Sequence, residues 1–341
     1  MSKGKYVRFA FVIVLLLAAL VGTTSAGAAP KSALSVTISA DKSGFTASDS
    51  VLVNVTFTNT GKNPVKVLKW FTPAEDVEEP LFKVTRDGAA VDYIGAHYKR
   101  LAPTGNDYIN LKSGESFTST VDLAQYYDLS TSGNYELEYN YDVTALASNK
   151  LQLAVEGRSA PSLVVVPEAV SGSTSFTRCS ASQQTDLINA RSNASTYAAN
   201  AYSYLNAGTQ GPRYTTWFGT YTSTRYNTVK SHFSAIGSAM DTAPVTFNCS
   251  CRKKNVYAYV YIDQPYTIYL CGVFWTAPMT GTDSKAGTLI HEMSHFTVVA
   301  GTDDWVYGQS GAKNLAISDP NKAIDNADSH EYFAENTPFQ N

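Results

Sequence analysis

At 341 residues the chain has room for two hydrophobic cores. Its 26 basic and 29 acidic residues leave a formal net charge of −3. That near balance excludes the strongly basic surface a nucleic-acid partner would require.

Lys3, Lys5 and Arg8 precede an uncharged apolar run over residues 9–21, and the small residues Ser25, Ala26, Gly27, Ala28 and Ala29 follow. The run is shorter than the roughly 20 residues a bilayer span needs. The order basic, apolar, small predicts a secretory signal peptide over 1–28, with no membrane association after its removal. The product is then secreted and extracellular.

From about residue 33 to 167 the sequence reads as β-structure. LSVTISA, VLVNVTFTNT, VKVLKWF, LFKVTRDGAAVDYIG, SFTSTVDL and YELEYNYDV alternate apolar and polar residues with period two. Asp87 and Gly88 between two such runs predict a hairpin. Short strands at this spacing predict an immunoglobulin-like sandwich over 29–167. His97, the one histidine of this half, reads as a surface or loop residue, and no catalytic constellation is visible there.

After Val166 the composition turns small and polar, which predicts a linker over 168–174. Residues 175–341 read as a second, α+β domain. SQQTDLINARSNASTYAANAYSYLNAG predicts a long helix ending at Gly208, and TSTRYNTVKSHFSAIGSAM a second one. VTFNCSC, NVYAYVYI and YTIYLCGVFW predict strands. A helix capped near Asp283 and Ser284 carries LIHEMSHFTVV, and Asp319 with Pro320 opens a last helix over NKAIDNADSHEYFAEN. All four cysteines, Cys179, Cys249, Cys251 and Cys271, lie in this half. An even count in an exported chain predicts two disulfides. Cys249 and Cys251 are too close to bond comfortably to each other.

His291-Glu292-Met293-Ser294-His295 is an H-E-x-x-H motif. Four residues apart on a helix, the two imidazoles share a face and can reach one zinc ion. Glu292 between them is placed to take a proton from an attacking water. Gly301 and Thr302 break the helix, and Asp303 and Asp304 follow. Either carboxylate suits a metal chemically, and spacing alone leaves that choice open. The Tyr307 phenol could donate to an oxyanion.

HEMSHF followed by GTDDWVYG resembles the aspzincin metallopeptidases, whose pattern is H-E-x-x-H and then G-T-x-x-x-x-Y-G. The resemblance covers about residues 175–341 and is strongest to the peptidyl-Lys metalloendopeptidases, whose tail is similar to NADSHEYFAEN here. It implies a zincin-type fold with one zinc per chain on His291, His295 and Asp304. Glu292 is then the general base and Tyr307 the oxyanion donor. It further implies that Asp328 and Glu331 bind a substrate lysine, and that the disulfides are Cys179–Cys249 and Cys251–Cys271. The implied activity is hydrolysis of protein and peptide substrates on the amino side of lysine. The β half lies outside the resemblance. Because an exported protease is dangerous while it folds, that half reads as a propeptide, the competing view being a binding module that stays attached, and the enzyme reads as a monomer. The mature chain would begin near Thr174 or Ser175. Two neighbouring readings are a deuterolysin-like protease of broader preference and a protease toxin with a narrow target. Asp328 and Glu331, three apart on a predicted helix, share a face, where two carboxylates favour an incoming ammonium.

Overall fold

Period-two burial builds the first half of the structure, a computed structural model that describes residues 33–75, 77–141, 146–158 and 172–341. The expected signal peptide and residues 168–171 of the expected linker lie outside the described residues. In chain order the strands of this half are β1 (Leu34–Ser39), β2 (Gly44–Phe45), β3 (Leu52–Asn59), β4 (Val65–Leu68), β5 (Phe82–Arg86), β6 (Ala89–Ala90) and β7 (Ala96–Arg100). They continue with β8 (Tyr108–Leu111), β9 (Ser116–Asp122), β10 (Gly133–Tyr141), β11 (Leu146–Ala147) and β12 (Leu151–Val155). One sheet has the order β1-β3-β9, and a second runs β2-β12-β10-β5-β6.

Val36, Val55, Phe57 and Val121 of the first sheet meet Val84, Leu137, Tyr139 and Leu153 of the second in one core. Each such side chain contributes about 1.5–3 kcal/mol by leaving water. The polar residues between them face outward and pair across strands, as Thr56 does with Thr118 at 2.8 Å. The β5–β6 hairpin turns at Asp87 and Gly88, both at positive φ, the backbone that a tight hairpin between right-twisted strands requires.

The second half contributes β13 (Thr174–Thr177), α1 (Ala181–Asn206), α2 (Pro212–Phe218), α3 (Ser223–Thr242), β14 (Val245–Asn248), β15 (Val256–Tyr261) and β16 (Thr267–Leu270). It ends with α4 (Gly272–Thr276), α5 (Lys285–His295), α6 (Gly308–Ser318), α7 (Pro320–Ala323) and α8 (Ala327–Glu335). A capping box between Ser180 and Gln183 starts α1. Its buried face is Leu187, Ala190, Ala194, Ala198, Ala201 and Leu205, at helical spacing, and the small alanines let α3 pack close. Disulfides join Cys179 to Cys249 and Cys251 to Cys271. Among the described residues no helix is long and apolar enough to cross a membrane.

Several elements differ from expectation. YTIYLCGVFW is a strand only to Leu270. Cys271 is bonded to Cys251, and the Gly272 N–H donates to the Lys253 carbonyl, so the chain turns into α4 instead of continuing the ladder. The single C-terminal helix is two, α7 and α8. Buried Asn326 interrupts it, because its side-chain oxygen accepts the backbone N–H groups of Trp305 and Val306. The short helices α2 and α6 carry no clear periodicity in the sequence.

The sheet of the second half has the order β13-β14-β16-β15-β7. Its edge strand β7 comes from the first half of the chain and pairs antiparallel with β15.

Candidate active site

Helix α5 is buried along its whole length. Ser284 caps it by accepting the Gly287 N–H, and Glu335 of α8 accepts from both the backbone and the hydroxyl of Ser284. A Cβ at Gly287 would collide with the Glu335 carboxylate, so glycine permits α8 to lie this close. His291 and His295 lie one turn apart, their rings meeting edge-on with centroids at 4.9 Å.

Past α5 the chain reverses at Gly301, whose φ is 64°. The Thr302 N–H donates to the Ser294 carbonyl, and the two hydroxyls of these residues lie 2.6 Å apart. This pins the loop to the helix and sets Asp304 opposite the imidazoles. Asp304 Oδ1 is 3.2 Å from His291 Nε2, and Oδ2 is 3.3 Å from His295 Nε2. Asp303 points elsewhere: its side chain is 38% exposed and 3.6 Å from His97.

The other ring nitrogens are committed to oxygen acceptors. His291 Nδ1 lies 2.8 Å from Asp328 Oδ1, and His295 Nδ1 donates to the Thr302 carbonyl at 2.7 Å. Such partners fix the tautomer and leave Nε2 as the ligand atom. Tetrahedral ligands at about 2.0–2.1 Å from a zinc ion lie roughly 3.3–3.4 Å from one another. The observed separations match that edge. Burial favours neutral His291, but Asp304 and Asp328 outweigh it and hold the imidazole well above its usual range. The same carboxylates would hold a dication in the proton's place. The residues therefore fit a metal ion.

Both Glu292 carboxylate oxygens are buried and accept no hydrogen bond among the described residues. Burial raises this carboxyl to about 7, against the pull of the two histidines. The Tyr307 phenol donates to Glu79 Oε1 at 2.6 Å, and its ring meets Trp70 edge-on.

Asp328 and Glu331 sit side by side on α8, fully buried. Between them lies the ammonium of Lys99, 2.5 Å from Glu331 Oε2 and 3.5 Å from Asp328 Oδ1. Asp283 Oδ1 is 3.7 Å away, and the rings of Tyr257 and Tyr332 flank the ammonium at 4.9 and 5.8 Å. Burial pulls the Lys99 ammonium down, but the carboxylates outweigh it and hold it well above its usual range. Asp328 thus serves two neighbours, His291 and Lys99.

The first half of the chain enters the site, which the sequence reading missed. His97 is not a surface or loop residue: it is buried on β7, its ring 4.9 Å from that of His295. Its nitrogen, one from His295 and an Asp304 oxygen lie within 4.8 Å of one another. Nothing local in AHYKR signals this, because a strand's partner is not written in its own alternation. Tyr257 and Tyr332 carry a weak signal as aromatics on predicted elements, and Asp283 reads as a helix cap.

His330 is buried between α3 and α8 and pairs with His232. His330 Nδ1 donates to the Asn326 carbonyl at 3.0 Å, so its Nε2 accepts the His232 Nδ1–H at 2.9 Å. Burial lowers His232 to about 4, and burial with His232 beside it lowers His330 to about 3. Unfolded, both titrate near about 6.5. The unfolded chain therefore takes up protons first, and stability is full above that pH and lost as pH falls towards 4. The expected loss is about 1.4 kcal/mol per pH unit for each proton. Urea unfolding at pH 6.5 and 5 measures it. The variant His232→Gln should flatten the slope by about one proton, and an unchanged slope would contradict the assignment.

The aspzincin M35 family model, described as lysine-specific metallo-endopeptidase, matches residues 203–335. The chain is 49% identical over 315 residues to a protein of Aeromonas hydrophila named extracellular protease, spanning 86% of this chain and 90% of that one. It is 59% identical over 164 residues to the peptidyl-Lys metalloendopeptidase of Pleurotus ostreatus, which spans 48% of this chain and 97% of that one. The solved zinc peptidase from Grifola frondosa is 52% identical, covers 48% of this chain and 100% of its own, and superposes with a TM-score of 0.47.

Proposed function

The chain belongs to the aspzincin family and is a zinc metalloendopeptidase, and we propose that it is secreted and cuts peptide bonds on the amino side of lysine. The observation that carries the specificity is Lys99, a complete lysine side chain buried between Asp328, Glu331 and the rings of Tyr257 and Tyr332. On the same strand the residue two before it, His97, lies at the metal-binding groups. A peptide bond on the amino side of a lysine held this way falls between the pocket and the metal site.

In this reading His291, His295 and Asp304 hold one zinc ion. When bound, zinc supplies Lewis acidity, bringing the pKa of water towards about 7 and polarising a carbonyl. Glu292 takes a proton from the attacking water and returns it to the leaving amine. Tyr307, once released from Glu79, donates to the oxyanion. Asp328 and Glu331 orient the residue after the cut through charge-assisted hydrogen bonds to its ammonium. Asp328 also keeps His291 in the tautomer that binds metal.

The organisation that accompanies this activity is a signal peptide over 1–28, an immunoglobulin-like propeptide over 29–167, a linker over 168–174 and a catalytic domain over 175–341. The length of the Pleurotus relative, half that of this chain, supports an enzyme complete without the first half. The linker contains no lysine, so its cleavage calls for another protease or a relaxed specificity. The mature enzyme acts as a monomer.

Digestion of a defined denatured protein tests the specificity. New N-termini should begin with lysine in the great majority of products, and an even spread of residues at that position would overturn it.

A further inference from the structure

We propose that β7 is an internal inhibitor strand, in which His97 is a fourth ligand of the metal and Lys99 plugs the acidic pocket. The inference rests on the metal reading above and adds to it a residue from the other half of the chain.

Three observations meet on this strand. The first is its place at the sheet edge. Without β7, strand β15 would present a row of open backbone donors and acceptors beside the catalytic helix, the kind of edge to which an extended peptide adds. β7 fills that edge antiparallel, with His97 opposite Val260, Tyr98 opposite Tyr259 and Lys99 opposite Ala258.

The second is the direction of its side chains. Residues two apart on a strand share a face. His97 and Lys99 both turn into the site, His97 to His295 and Asp304, and Lys99 to Asp328 and Glu331. Tyr98 turns away and packs on Tyr259 at 5.2 Å. Arg100 pairs with Glu78 at 2.6 Å, and Glu78 also pairs with Lys253 of the second half.

The third is Glu79. It is buried, and it accepts the hydrogen bond of the Tyr307 phenol. The metal-binding groups, the lysine pocket and the oxyanion donor are thus each engaged by the first half of the chain.

The chemistry of His97 separates an inhibitor from a substrate. A strand that only placed Lys99 in the pocket would present the Tyr98–Lys99 bond for hydrolysis. Catalytic zinc sites hold three protein ligands and keep one position open, whereas structural sites hold four and are closed. An imidazole from His97 converts the first kind into the second and leaves no position for the attacking water. Release of the first half then opens the metal, empties the pocket and frees Tyr307 in one step.

The test uses the full chain carrying Glu292→Gln, which removes self-cleavage, with the first half verified as attached by mass and the protein loaded with zinc. X-ray absorption at the zinc edge should count three imidazole ligands. Adding His97→Ala, or the bulkier His97→Leu to preserve packing, should reduce the count to two. Either change should also speed zinc loss to a chelator by roughly tenfold or more. A count of two in the parent, with unchanged chelator rates, overturns the His97 assignment alone. A parent that binds no stoichiometric zinc overturns the underlying metal reading. The parent should also leave labelled lysine amide unbound, while Lys99→Ala, which empties the pocket with the β7 backbone still in place, binds it; equal binding by both overturns the plug.

Discussion

Glu292→Gln is expected to leave zinc bound and to lower kcat/KM by about 10²- to 10⁴-fold, the range a positioned general acid–base residue supplies. Glu292 follows His291 directly on α5, yet its carboxylate does not join the group formed by His291, His295 and Asp304. Its oxygens accept no hydrogen bond among the described residues, so the amide removes no visible structural contact. Burying a carboxylate costs more than burying an amide, so the fold should not weaken. Zinc content and melting temperature separate the two ways activity can fall. Retained zinc, an unchanged melting temperature and a large loss of turnover agree with the assigned role. A variant that turns over normally would remove Glu292 from the mechanism.

Glu331→Gln and Asp328→Asn are expected to fail differently, although both belong to the same pocket. Removing one partner of a buried charge pair costs about 2–5 kcal/mol. Glu331 is the nearer oxygen to the bound ammonium. Glu331→Gln should therefore lower kcat/KM for lysine substrates by at least about 30-fold, the equivalent of 2 kcal/mol. It should narrow the gap between lysine and other residues while zinc affinity changes little. Asp328 Oδ1 also lies 2.8 Å from His291 Nδ1, as an ion-pair partner. Its amide should lose lysine preference and, in addition, weaken zinc binding by about 10- to 100-fold, as removal of a ligand's hydrogen-bond partner does. Steady-state kinetics on paired lysine and alanine peptides, with zinc titrations, check both. Equal effects of the two changes on zinc affinity would contradict the division of roles.

The parts of the site that were legible before the structure are local in sequence. The spacing of His291 and His295 on a helix is enough to put two imidazoles on one face, and Glu292 comes with them. The choice between Asp303 and Asp304 was not local. It depends on the Ser294–Thr302 hydrogen bonds that fold the loop back, and only the resemblance to aspzincins pointed to Asp304. Asp328 was expected to face a lysine, but its bond to His291 depends on how closely α8 lies against α5, which Gly287 permits. His97, Lys99 and Glu79 were invisible because about 200 residues separate them from the motif they meet. A lysine in a β-run reads as solvent-facing, since lysine is almost never fully buried without partners. Here the partners come from α8, and no pattern within β7 announces them. The sheet of the second half was predicted without the strand that completes it, for the same reason.

The central claim is that His291, His295 and Asp304 grip one zinc ion. Anomalous diffraction at the zinc edge, from crystals of the full chain, tests it directly. The account predicts a single strong peak at about 2.0–2.1 Å from both Nε2 atoms and from an Asp304 oxygen. No peak at that position, or a peak from which Asp304 is turned away, would contradict it.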